Sequence, residues 1–167
     1  MTDKINVLED GKPLSYTYAD MMHFHGFGYP GGVAHAFKVM QRAMPLLSPD
    51  GPPERREIVI RTAFRGPGAR DAFEMVTRGL TEGRYTVDHG FEKPERGNIL
   101  ERYVFEFGYR GRTVTLQLKE GHVREEFIIV SRKPDRTPAE EERLVWLKQE
   151  MADRLLLAPA EAVYEEA

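Results

Sequence analysis

Two histidines, His23 and His25, lie just before a glycine-rich turn. Imidazole nitrogens bind divalent metals such as zinc, and histidine is also the side chain best suited to move protons near neutral pH. On extended backbone the two rings would share one face, whereas on a helix they would diverge by about 200°. We predict a divalent metal, with zinc preferred, bound by His23 and His25. The alternative is that His25 only caps a helix C-terminus, where the helix dipole favours imidazolium.

Tyr29 follows in the same turn, between Gly28 and Pro30. A phenol with an ordinary pKa of about 10 is a poor metal ligand at neutral pH, but it can donate a hydrogen bond or pack against a bound molecule. We predict that Tyr29 contacts a ligand. The alternative is a buried ring whose hydroxyl is satisfied within the protein.

A second glycine turn, Gly66-Pro67-Gly68, is flanked by Arg65 and Arg70. The turn lies between a predicted strand and a predicted helix, so the backbone N–H groups that begin the helix are free to bind an anion. Arg65, Gly68 and Arg70 are therefore predicted ligand-binding residues. A tight turn with two solvated arginines is the alternative.

Asp71 comes directly after this turn and its flanking arginine. A carboxylate in this position can accept a hydrogen bond from an imidazole and orient the ring, or it can act as a ligand itself. If the two turns meet, His25 and Asp71 are the predicted catalytic pair, with His25 as general base. The competing interpretation is that Asp71 only stabilises the first turn of its helix.

The composition is that of an ordinary globular protein, with 167 residues, 41% of them hydrophobic and 31% charged. A net charge of −3 gives no bulk attraction to nucleic acid or to an anionic membrane, so we predict neither as a partner. The absence of cysteine excludes disulfides, iron–sulfur clusters and thiol nucleophiles. Because there is no signal-peptide pattern and no long apolar stretch, we expect a cytoplasmic protein.

Apolar residues spaced three or four apart predict four long helices. Ser15 or Thr17 caps the first helix, and a capping box from Thr137 to Glu140 begins the fourth, after which a last short helix can follow. On the second helix His35 falls opposite the apolar stripe and is predicted to be exposed. The predicted helices cover residues 16–25, 31–47, 69–80 and 138–157.

Alternating apolar residues predict a mostly antiparallel sheet. Residues 58–64 are predicted as a buried strand, and residues 84–131 as antiparallel sheet whose last strand is 127–130. Residues 1–14 are predicted to be a lead-in segment. The expected architecture is a single α+β domain over residues 15–167, with the helices packed on the sheet.

Three motifs resemble the core domain of the FmdE family, which takes its name from a component of formylmethanofuran dehydrogenase. Residues 24–31, Phe-His-Gly-Phe-Gly-Tyr-Pro-Gly, are similar to that family's Phe-His-Gly-His-x-Cys-Pro-Gly. Residues 68–72 and 81–84 resemble its Cys-Gly-x-Asp-Ala turn and the glycine-basic segment that follows. Residues 155–164 resemble its C-terminal Leu-x-Ala-Pro-x-Glu-x-Leu-Phe ending.

The resemblance implies an α+β homodimer with a site between the first and second motifs, where the family places histidine, cysteine and a metal. Here Phe27 stands at the position of the second histidine, and Tyr29 and Gly68 stand at the positions of cysteines, whereas His25 and Asp71 are retained. We expect no C-terminal zinc finger of the kind that some members carry.

These observations predict a protein that binds a divalent metal or a small ligand at the His25 turn, in support of a metabolic or redox enzyme system. Two other functions stay open from the sequence. One is a general-base enzyme that uses His25 and Asp71. The other is a dimeric scaffold with no chemistry of its own, since a fold alone does not fix a function.

Overall fold

A β-hairpin begins the chain in the computed structural model, which describes residues 3–167. Its strands, β1 (Lys4–Glu9) and β2 (Lys12–Thr17), pair antiparallel. Ile5 and Val7 on β1 are buried and join the main core. The predicted lead-in is therefore an ordered part of the fold from residue 4 onward, and its first two residues lie outside the described chain.

The four long helices are confirmed, with small shifts at their ends. The first begins two residues later than predicted because Thr17 is its N-cap: the Thr17 hydroxyl accepts from the Asp20 N–H, and the Asp20 carboxylate accepts from the Thr17 N–H. The predicted capping box at Thr137 is also present. The helices are α1 (Tyr18–His25), α2 (Pro30–Leu47), α3 (Pro67–Thr77), α4 (Glu125–Arg132), α5 (Pro138–Leu157) and α6 (Ala160–Val163).

A five-stranded, mostly antiparallel sheet completes a single α+β domain, as predicted. The sheet consists of β3 (Val59–Thr62), β4 (Tyr85–Val87), β5 (Val104–Tyr109), β6 (Arg112–Leu118) and β7 (Tyr164–Glu166). Their order is β4-β3-β5-β6-β7, and only the β3–β4 pair is parallel. Within residues 3–167, no helix combines the length and the apolar character that crossing a membrane requires.

The prediction of a strand at residues 127–130 was wrong, because this segment lies in α4. A run of four apolar residues fits a buried strand and one side of a short helix equally well. Glu125 and Glu126 occupy the first helical turn, where negative charge is favourable. Ile128 faces the core while Ile129 is exposed.

The prediction that His35 is exposed was also wrong, because its exposed fraction is 0%. The helix α2 lies at the centre of the molecule and packs against α3, α5 and the sheet. It is therefore buried on nearly all sides, and small residues such as Ala34 and Ala36 let its neighbours approach closely. A polar residue opposite the apolar stripe of such a helix faces another element instead of solvent.

Candidate functional site

The position of His25 is fixed by the way that α1 ends. Gly26 follows with a φ of +95°, a conformation that side-chain-bearing residues rarely adopt, and its N–H donates to Met22 O at 2.7 Å. The helix therefore stops at His25 and presents the imidazole to the first turns of α3.

His25 and Asp71 are in direct contact, as the sequence predicted for a meeting of the two turns. His25 Nδ1 lies 2.7 Å from Asp71 Oδ2, and Arg70 Nε donates to Asp71 Oδ1 at 3.0 Å. Burial raises the pKa of Asp71, but the hydrogen bonds from Arg70 and His25 outweigh it and leave that pKa below its usual value. An ionised Asp71 accepts the Nδ1 proton, and in the neutral form of the His25 ring the free lone pair is then on Nε2.

The described residues show no ready-made cluster of metal ligands around His25. His23 and His25 both lie in α1, where side chains two positions apart point in different directions, and His23 is exposed. Across the described residues, no three His, Cys, Asp or Glu side chains come together to hold an ion. A structural or catalytic zinc takes at least three protein ligands, of which His25 would supply one.

A cleft lies beside this pair, between the first turns of α2 and α3 and the facing sides of α4 and α5. Its free volume is about 230 Å³. Tyr29 is near both features: it lines the cleft, and its ring centroid is 5.7 Å from that of His25. Lys148 Nζ lies 4.2 Å from the Tyr29 ring centroid, and it donates to Gly28 O at 3.3 Å.

The two glycine turns pack tightly against each other at the base of the cleft. A Cβ on Gly68 would lie 2.7 Å from Tyr29 O and 3.0 Å from Val33 N, so only glycine allows this approach. Both α2 and α3 begin at this point with a proline, Pro30 and Pro67. Their next N–H groups have no partner inside the helix, and the positive ends of two helix dipoles converge on one cleft.

Cationic side chains surround the cleft, and we call it the arginine cleft after them. Two of these residues, Arg65 and Arg132, are exposed, and the other three are half-buried. Together the five outnumber the carboxylates that pair with them. The five cations are Arg65, Arg102, Arg132, Arg136 and Lys148.

Three carboxylates just outside the arginine cleft pair with four of these cations. Glu92 contacts both Arg65 and Arg102. Glu101 lies 3.9 Å from Arg132, and Glu141 accepts from Arg136 at 2.9 Å. Five positive charges therefore share three negative ones.

Burial, with a smaller contribution from neighbouring cations, lowers the pKa of two of the five side chains. Desolvation and the charges of Arg132 and Arg65 lower the pKa of Arg102. Desolvation and the charge of Arg136 lower the pKa of Lys148. An anion in the cleft would relieve both effects.

His35 lies in the floor of the cleft, among aromatic rings. Its ring centroid is 4.7 Å from that of Tyr103 and 6.1 Å from that of Phe64, and all three residues line the cleft. His35 Nδ1 lies 2.8 Å from Tyr164 Oη, and no hydrogen-bond partner of Nε2 is found among residues 3–167. Desolvation, reinforced by His122 and Arg154, lowers the pKa of His35 to about 3, so its ring is neutral at physiological pH.

The predicted site residues fall into two neighbouring groups. Tyr29, Arg65 and Gly68 line the arginine cleft, whereas Arg70 lies with His25 and Asp71 in the adjoining polar cluster. His23 belongs to neither group.

Sequence reasoning missed the residues that α4, α5 and the segment before β5 bring to the cleft, and it missed His35. Arg132, Arg136 and Lys148 follow an ordinary amphipathic pattern, and only the misassigned helix α4 brings the first of them to this face.

The chain matches no protein-family model and no curated protein. The fold and the cleft therefore define its class: a single α+β domain in which two helix N-termini and a cluster of cations surround an aromatic-floored cleft.

Proposed function

We propose that this protein binds a small organic anion in the arginine cleft. The observation that carries the proposal is the gathering of five cationic side chains around one cleft in a chain whose net charge is −3. Surface lysines and arginines usually spread over a protein and pair with local carboxylates. Their concentration here, with fewer carboxylates than cations, is the arrangement that attracts and holds a negatively charged ligand.

The rest of the cleft supports the same ligand class. The first turns of α2 and α3 add backbone N–H donors and two positive dipole ends, which favour carboxylates and phosphates. Phe64, Tyr103 and Phe127 give the walls an apolar, aromatic character that suits an organic body. The volume is below the roughly 300–1,000 Å³ typical of pockets for drug-sized ligands, so the ligand is small.

A second candidate function is supported by the His25–Asp71 pair. The contact of 2.7 Å orients the imidazole and leaves Nε2 as a proton acceptor, which is the arrangement of a general base. The pair lies close to the cleft, because the His25 ring is 5.7 Å from the ring of Tyr29, which lines it. If the protein is an enzyme of this kind, the anion is its substrate, and a movement of Tyr29 would allow the anion to reach His25.

The role suggested by the family resemblance stays a prediction, including the homodimer and the support of a metabolic or redox enzyme system. The same holds for a divalent metal at His25. Elemental analysis of the purified protein tests it: zinc bound in equal amount to the protein, and lost in His25→Ala, would support that function.

Titration calorimetry with citrate and with phenyl phosphate tests the proposed function. We expect at least one of the two anions to bind, and Arg132→Gln to weaken that binding. Arg132 is the suitable position because its ion pair with Glu101 is long, so its removal disturbs the fold little. The control is Arg110→Gln, which removes the same charge from an exposed arginine paired with Glu57 outside the cleft.

A further inference from the structure

We propose that the ligand of the arginine cleft is an aromatic compound that carries a dianionic group at the rim and a hydrogen-bond acceptor at its buried end, where His35 donates to it. This inference rests on the proposed function and narrows it to one chemical class. Three features of the cleft support it, namely the tautomer of His35, the count of charges at the rim and the rings in the floor.

The tautomer of His35 follows from its buried partner. Tyr164 is fully buried, and burial raises the pKa of its hydroxyl well above the usual value, so the phenol keeps its proton. A buried O–H needs an acceptor, and within residues 3–167 the hydrogen bond found for this hydroxyl is the one to His35 Nδ1. Tyr164 therefore donates to Nδ1, and the proton of the neutral His35 ring resides on Nε2.

The Nε2–H group of His35, a residue that lines the cleft, is then a buried donor for which no partner is found among residues 3–167. Leaving a buried polar group unpaired costs about 1–3 kcal/mol, so a ligand that supplies an acceptor at this point gains an advantage over one that does not. A ligand that presents a second donor there would be rejected.

The charged side chains at the rim of the cleft favour a ligand with two negative charges. Five cations share three carboxylates, so a ligand with two negative charges leaves the cleft neutral. A phosphate monoester above pH 7 has this charge, because its second pKa is about 6. A singly charged ligand would leave one cation without a partner.

The aromatic side chains in the floor of the cleft favour a ligand with a flat ring. The Phe64 and Tyr103 rings lie with centroids 5.0 Å apart and tilted by 39°, and Phe127 and Leu144 also line the cleft. An aromatic body can lie against these surfaces with its charged end at the rim and its far end toward His35.

Three related compounds separate these features in calorimetric titrations at pH 8. The first is 4-nitrophenyl phosphate, which has a ring, a dianion and an acceptor. Phenyl phosphate lacks the acceptor, and 4-nitrophenyl sulfate is only a monoanion. We expect the first to bind about tenfold more tightly than either of the others, which corresponds to about 1.4 kcal/mol for each feature.

Two variants connect the acceptor preference to His35. In His35→Phe the nitro group should give no advantage over the unsubstituted ring. Tyr164→Phe removes the group that fixes the tautomer, and it should reduce the advantage while leaving the preference for a dianion unchanged. Because a buried substitution can prevent folding, ¹⁵N NMR of the wild-type imidazoles gives an independent measurement: the proposal requires the His35 proton on Nε2.

Two results would overturn the inference: a His35 proton on Nδ1, or equal affinities for the nitrophenyl and phenyl phosphates. If the aromatic phosphates fail to bind but citrate binds in an Arg132-dependent manner, the inference fails and the proposed function stands. If none of these anions binds, both fail.

Discussion

The two imidazoles near the arginine cleft have different neutral tautomers, because their hydrogen-bond partners differ. Tyr164 donates to His35 Nδ1, which places the proton on Nε2 and makes His35 a neutral donor. Asp71 accepts from His25 Nδ1, which leaves Nε2 as an acceptor. One residue type therefore supplies both a hydrogen-bond donor and a proton acceptor within a small region, and the neighbouring oxygen decides which.

At the residue scale, Asp71→Asn should lower the free energy of unfolding by about 1 kcal/mol at pH 7, because a charge-assisted hydrogen bond becomes a neutral one and partial exposure weakens the effect. The pKa of Asp71 is lowered in the fold, so its contribution is present at neutral pH and is lost as the pH falls through that lowered value. The difference between variant and wild type should therefore shrink below about pH 4.

Urea unfolding at a series of pH values measures this difference. Asp135→Asn is the control, since it removes the same charge from an exposed residue in the loop before α5. A difference between Asp71→Asn and wild type that stays constant from neutral to acidic pH would show that the His25–Asp71 contact does not stabilise the protein.

At the scale of elements, the cleft exists because α2 and α3 meet with almost no side chain between them. A Cβ on Gly32 would lie 3.4 Å from Ala69 N, and Gly68 has even less room. This approach brings two helix N-termini to one place. The same packing buries α2 from several sides, which is why a polar residue such as His35 lies in the interior.

Gly68→Ala should therefore destabilise the protein by about 2 kcal/mol, since its Cβ would overlap backbone atoms that cannot move independently. Gly28→Ala is the matched control in the facing turn, because a Cβ there meets no atom within 4 Å. Thermal unfolding of both variants measures the effect. Equal stability of the two variants would contradict the close packing of the turns.

Several elements were predictable from sequence because local chemistry determines them. The capping box at Thr137 belongs to α5 and the apolar stripe belongs to α2, so each signal lies within a single helix. Both predictions were confirmed. The helix at 125–132 and the N-terminal hairpin were missed because their short apolar runs gain stability only from packing on other elements. The final strand β7 has three residues and exists only by pairing with β6.

The candidate site could be predicted only in part, for the same reason. The contact between His25 and Asp71 was predicted from a resemblance that aligned both turns, and the structure brings them together. The cations of the arginine cleft come from four separate regions of the chain, and no spacing in the sequence relates Arg65 to Arg102 or Lys148. Only the fold makes them neighbours.

At the scale of the whole molecule, the charge is distributed unevenly. The chain carries a net charge of −3, yet one cleft holds a surplus of positive charge. Like charges held together destabilise the fold, and this repulsion is relieved when an anion binds. Ligand binding and folding stability should therefore be linked.

An anion that binds the cleft should stabilise the protein against urea by about 2.7 kcal/mol when its concentration is 100 times the Kd. The effect should weaken as sodium chloride is raised, because salt screens the partly exposed cations. Unfolding curves with and without phenyl phosphate measure both effects. Stabilisation that is insensitive to salt would contradict an electrostatic cleft.

The most direct test is the Kd of phenyl phosphate for the wild type, Arg132→Gln and Arg110→Gln, measured side by side at low salt. The proposed anion site predicts saturable binding that is about tenfold weaker in Arg132→Gln and unchanged in Arg110→Gln. Equal weakening in both variants would show general charge attraction, and the absence of binding by both phenyl phosphate and citrate would contradict the account.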